Sequence, residues 1–182
     1  MVPTADPFMQ AQDVAGALAY VQQHAVEWGG DGARVTLVGH SAGAHLVALL
    51  AADPSLAYAQ GAKAWLGTVA LDSAAYSVPR IMTLPHADFY DRVFGKDEAF
   101  WRKVSPLDRV QGKSQPMLLV CSSQRLLSCA QAETFAKAVN DKGGRAQVLP
   151  EALTHAQINA ELGGDSDYTR AVDTFLHSLG LP

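Results

Sequence analysis

Apolar residues recur along this chain in two alternating patterns. Val14, Leu18, Val21, Ala25 and Trp28 fall at intervals of four and three, which puts them on one helix face, and Gly29-Gly30-Asp31-Gly32 stops the run. Arg34 to Val38 (RVTLV) then reads as a buried strand, and Ala42 to Ala52 as a helix ended by Asp53-Pro54. LGTVAL (66–71) and PMLLVC (116–121) are continuous apolar runs of strand length. Ala132, Phe135, Ala136 and Val139 mark a helix closed by Gly143-Gly144, and Arg145 to Leu149 forms a fourth strand. Tyr168, Val172, Phe175, Leu176 and Leu179 give the last helix its apolar face. Strands that are apolar on both faces belong in a parallel sheet covered on both sides. Alternation with helices therefore predicts an α/β fold, a three-layer sandwich around a mostly parallel sheet with right-handed crossovers.

Between Val78 and Val110 this rhythm stops. The segment is rich in aromatic and charged residues, has three prolines from Pro79 to Pro106, and shows no clean strand. It reads as an insertion between strands that can cover a pocket, or as a crossover lying on the sheet. The chain of 182 residues, 48% of them hydrophobic, is otherwise expected to fold as a single domain around one core.

Charge narrows the partners. The 14 Lys and Arg residues against 18 Asp and Glu leave a net charge of -4, without a basic run, so no footprint for nucleic acid or an anionic membrane is present. A small neutral or apolar substrate fits better. The N-terminal MVPTADPFMQ lacks the charged and apolar regions of a secretory leader, and no run reaches membrane-span length, which leads to a cytoplasmic expectation. Cys121 and Cys129 have no metal-type spacing and are too few for a disulfide framework, so they read as small buried hydrophobes. No metal or cofactor is expected.

The chemistry centres on Gly39-His40-Ser41-Ala42-Gly43. This G-x-S-x-G pattern follows a strand and opens an apolar helix, the context in which a serine is mounted on a sharp turn as a nucleophile. The backbone N–H of Ala42 can donate to an oxyanion, and a helix-capping serine is the simpler alternative for Ser41. Of six histidines, His155 lies a few residues beyond the last strand, where a base for Ser41 belongs. His24 and His177 fall on helices, His86 in the insertion, and His40 and His45 beside the serine.

With GGDGARVTLVGHSAGAHL, HADFYDRVFG, FWRKVSP and THAQINAELG in view, the chain resembles an α/β hydrolase of the carboxylesterase type. It is similar to the hormone-sensitive-lipase-like esterases and kynurenine formamidases from about Asp13 to Leu179. The resemblance implies a truncated α/β-hydrolase fold and a serine hydrolase acting on a small carboxylic ester or amide through Ser41 and His155. Two departures stand beside it. The family's acid sits after the strand matching PMLLVC, where this chain reads Ser122-Ser123-Gln124-Arg125-Leu126-Leu127-Ser128, without a carboxylate. Asp72, directly after LGTVAL, is a fallback that reads more simply as a turn or capping aspartate. An HGG-type oxyanion loop and several strands precede the Val14 helix in the family, and neither occurs here before Ser41. A catalytically impaired homologue serving as a binding module is therefore the alternative, and a start at an internal methionine of a longer reading frame would account for the missing front. Loss of one neighbouring strand leaves 34–38 as an apolar edge, expected to pair with a second copy, a rearranged N-terminal segment or another chain.

Overall fold

A computed structural model describes residues 4–182. Residues 1–3, part of the stretch read for a leader, lie outside the described residues. Helix α1 spans Pro7–His24, seven residues earlier than the apolar spacing from Val14 implied. Asp6 explains the early start: its side chain accepts from the Met9 N–H, and Pro7 occupies the first turn, where a missing N–H costs nothing. The buried face of α1 is Ala11, Ala15 and Leu18, small residues that let it lie close to its neighbours. Val21 and Trp28, assigned to the buried face from their spacing, are exposed, Trp28 by 60%.

Strand β1 (Thr36–His40) leads through Ser41 into α2 (Ala42–Ala52), with short α3 (Ser55–Tyr58) following, and β2 is Gly67–Leu71. Four short helices occupy the aromatic segment: α4 (Val78–Thr83), α5 (Asp88–Phe94), α6 (Glu98–Lys103) and α7 (Pro106–Arg109). Then come β3 (Met117–Ser122), α8 (Ser128–Asp141), β4 (Ala146–Glu151), α9 (His155–Ala160) and α10 (Asp167–Ser178). The four strands pair in parallel in the order β1-β2-β3-β4, with Val38 opposite Val69 and Val120 opposite both Leu71 and Leu149.

Alternation along the strands sorts the core into two layers. Ala70, Leu119 and Cys121 face α1, α2 and α8 through Leu49, Phe135 and Val139, whereas Val69, Leu71, Leu118 and Val120 face α9 and α10 through Ile158, Val172 and Phe175. The result is the expected three-layer sandwich. Among the described residues β1 pairs only with β2, so its outer edge is open, and Val38 is 52% exposed.

The cysteines differ from the sequence expectation. Cys121 is fully buried, but it is joined to Cys129 in a disulfide, the Cα atoms 5.1 Å apart. Counting two cysteines argued against a framework of bridges, and it carried no information on how the segment after β3 folds back. That segment returns the first turn of α8 to the end of β3 within eight residues.

Candidate active site

Ser41 has φ 58° and ψ −116°, a conformation that L-residues rarely adopt, held between β1 and α2. Its N–H donates to the Leu71 carbonyl at 2.9 Å, tying the turn to the end of β2. The turn is this tight because Gly39 and Gly43 touch: a Cβ on Gly39 would lie 2.5 Å from the Gly43 backbone. The Ser41 side chain makes no helix-capping bond, contrary to the simpler alternative. Its Oγ lies 2.9 Å from His155 Nε2. Ala42 is the first residue of α2, so its N–H has no partner inside the helix.

His155 is placed by the start of α9. Thr154 caps that helix by accepting from the Gln157 N–H, and the Gln157 side chain accepts from the Thr154 N–H in return. His40 contributes a second tether, its Nε2 2.9 Å from the His155 carbonyl oxygen, with the two rings 4.4 Å apart. His155 Nδ1 lies 2.6 Å from Oδ2 of Asp72. The structure thus joins Asp72, His155 and Ser41 in one hydrogen-bonded chain, with Asp72 directly after β2, the strand next to β1. Asp72 is no simple turn residue. It has φ 56°, its side chain is wholly buried, and every acceptor site of its carboxylate is used.

The donors around Asp72, His155 apart, come from residues 122–128, the segment without a carboxylate. Oδ1 accepts from the Ser122 N–H at 2.8 Å and from Ser128 Oγ at 2.5 Å, and Oδ2 accepts from Arg125 Nη1 at 2.6 Å as well as from His155. Burial works to raise the Asp72 carboxyl, but the bonds from Ser122, Ser128, His155 and Arg125 outweigh it and hold the group below the usual aspartate range. A carboxylate kept ionised in this way can orient an imidazole and stabilise its protonated form. Leu126, by contrast, is 90% exposed and touches none of this. Arg125, Ser122 and Ser128 were not legible as functional from sequence, since a lone arginine between leucines has no defined target until the segment's path is known.

Beside Ser41 lies a cavity of about 330 Å³, with Ser41, Ala42, Asp72, Arg125 and His155 on its polar side. Its apolar wall includes Pro7, Leu46, Phe89, Tyr90, Val93 and Phe94. Helix α5, from the aromatic segment, supplies four of these six residues. His45 also lines it but is buried, with Nδ1 2.9 Å from the Ala75 carbonyl, and desolvation lowers it to about 4, so it is neutral. His24, His86 and His177 lie away from Ser41, His24 against Glu27 and His86 against Asp91. Among the described residues no group of three or more His, Cys, Asp or Glu could hold a metal, and no helix is long and apolar enough to cross a membrane.

The fold that carries these residues has counterparts in known proteins. The Carboxylesterase family matches residues 9–76, the stretch that carries α1, the serine turn and Asp72. The apo form of Thermogutta terrifontis esterase 2 superposes with a TM-score of 0.76 over all of this chain and 69% of its own, at 21% identity. The chain has an α/β-hydrolase-like fold and is similar to carboxylesterases over residues 9–76. Esterase B from Lactobacillus Rhamnosis (HN001) shares this esterase fold with a TM-score of 0.74, at 18% identity over 99% of this chain and 62% of its own. Esterase LipQ of Mycobacterium tuberculosis (strain ATCC 25618 / H37Rv) is 28% identical over 144 residues. That match takes in 72% of this chain, which spans only 34% of LipQ.

Proposed function

We propose that this chain hydrolyses small carboxylic esters or amides by acyl transfer through Ser41. The observation that carries the reading is the continuous chain from Asp72 Oδ2 through His155 to Ser41 Oγ, with spacings of 2.6 and 2.9 Å. In this scheme Nδ1–H of His155 donates to Asp72, which leaves Nε2 free to take the proton from Ser41 as Oγ attacks the carbonyl carbon. The Ala42 N–H donates to the developing oxyanion. The imidazolium then returns its proton to the leaving alcohol or amine, and water repeats the cycle on the acyl-enzyme. The mostly apolar 330 Å³ cavity fits a short acyl or aryl group better than a charged one.

Turnover of p-nitrophenyl acetate tests this: the wild-type rate is expected to exceed that of Ser41→Ala, and equal rates would overturn it. Equal rates would instead favour the binding-module reading. We further infer that the open edge of β1 pairs with a second copy of the chain, because an uncharged edge strand offers unpaired backbone groups. The Cys121–Cys129 disulfide favours an oxidising compartment over the expected cytoplasm, since disulfides are rare among cytosolic reductants.

A further inference from the structure

Arg125 places a guanidinium nitrogen against both the acid and the base. Nη1 lies 2.6 Å from Asp72 Oδ2, 3.0 Å from the Asp72 carbonyl oxygen and 3.0 Å from His155 Nδ1. That nitrogen carries two hydrogens, and it can never accept. Asp72 presents it with two acceptors, one on the main chain and one on the side chain, and these consume both hydrogens. None is left for His155 Nδ1. A ring nitrogen packed 3.0 Å from a donor with nothing to give must find its own partner, and among the described residues the acceptor bonded to it is Oδ2 at 2.6 Å. Nδ1 must therefore carry a proton, and a neutral ring then has an unprotonated Nε2 facing Ser41 Oγ.

We infer that Arg125 is a positioning residue, which selects the Nδ1–H tautomer of His155 by occupying Asp72 from two sides. Bonding the main-chain and side-chain oxygens of one residue together also fixes the Asp72 carboxylate against its backbone. Ser122 N–H and Ser128 Oγ hold the other carboxylate oxygen, so Asp72 stands just after β2 while three of the four donors to its carboxylate come from the last residue of β3 and the segment that follows it. The Cys121–Cys129 disulfide closes that segment at its base. Without Arg125, Oδ2 loses one of its two donors and the carboxylate can turn away from Nδ1; water then donates to Nδ1 and the proton moves to Nε2, where it faces Ser41 and blocks proton abstraction.

The inference rests on Ser41 and His155 acting as nucleophile and base, and the test separates the two. Ring ¹⁵N NMR at about pH 8, where an imidazole is ordinarily neutral, reports the tautomer without any turnover. For wild type the His155 Nδ1 signal is expected in the N–H range and Nε2 in the bare-nitrogen range. Arg125→Gln should move both toward averaged positions, and Arg125→Lys, whose ammonium can still donate twice to Asp72, should keep the wild-type pattern. In ester turnover Arg125→Gln should lower kcat roughly 10- to 100-fold with KM little changed, the scale expected when a catalytic group is displaced by about an ångström. Arg125→Lys should recover most of that loss. An unchanged ring pattern in Arg125→Gln, or a wild-type ring protonated at Nε2, overturns the inference. An inactive wild type with the expected ring pattern would overturn the hydrolase reading and leave the role of Arg125 supported.

Discussion

Replacing Asp72 with asparagine removes the charge while keeping the shape of the side chain, which makes it the most informative single change in the site. The carboxylate is wholly buried and accepts four hydrogen bonds, two on each oxygen. In Asp72→Asn the amide oxygen keeps the Ser122 N–H and Ser128 Oγ, so the NH₂ group replaces Oδ2. That group faces two donors, Arg125 Nη1 and His155 Nδ1–H. Arg125 loses that bond, and the conflict with His155 is relieved when the ring moves its proton to Nε2 and accepts from the amide, which leaves Ser41 without a base. Loss of the correct tautomer in a serine triad costs about 10⁴ in kcat, or about 5.5 kcal/mol of transition-state stabilisation. Steady-state hydrolysis of p-nitrophenyl butyrate above the Ser41→Ala background reads the effect, and circular dichroism checks that the variant is folded. A folded Asp72→Asn protein within tenfold of the wild-type kcat would refute the assignment of Asp72 as the acid.

Acid should weaken the fold through His45. Its folded value of about 4 lies below the ordinary 6.5, so the unfolded chain binds the proton more readily. Stability is therefore full above the unfolded value and falls as pH drops from about 6.5 to about 4, by about 3 kcal/mol at 1.36 kcal/mol for each unit; urea unfolding of wild type and His45→Gln checks this, and parallel pH dependence in the two would contradict it. Removing the disulfide with the pair Cys121→Ser and Cys129→Ser should cost about 2.5 kcal/mol from the entropy of an eight-residue loop, and should lower ester turnover by loosening the donors to Asp72. Two free thiols in the unreduced, unfolded protein would disprove the bridge. Light scattering should find a dimer at high concentration that Val38→Lys dissociates, and a monomer with rapid amide exchange over 36–40 would exclude pairing through β1.

The sheet was legible because its strands are continuous apolar runs: β2, β3 and β4 each begin within one residue of the expected positions, and α2 matches residue for residue. Strand β1 was displaced by two residues, because Gly39 and His40 were assigned to the turn although they still pair with Ala70 and Leu71. Ser41 and His155 were readable from a motif and from position after the last strand. Asp72 was only a fallback, since a carboxylate after β2 reaches His155 through the path of three neighbouring chain segments, and no local spacing encodes that path. The Asp72 donors Arg125, Ser122 and Ser128 escaped for the same reason. The start of α1 escaped differently: Asp6-Pro7 is a clear capping signal, but alanines supply the buried face and give weak periodicity.

Activation of Ser41 as a nucleophile in the folded protein is directly measurable. Thermogutta terrifontis esterase 2, which shares the fold, is known in a form phosphonylated by sarin. Treatment of this chain with a fluorophosphonate followed by intact-mass measurement should add one phosphonyl group, located on Ser41, and Ser41→Ala and His155→Ala should remain unlabelled. Folded wild-type protein that takes up no label at any pH would contradict the account.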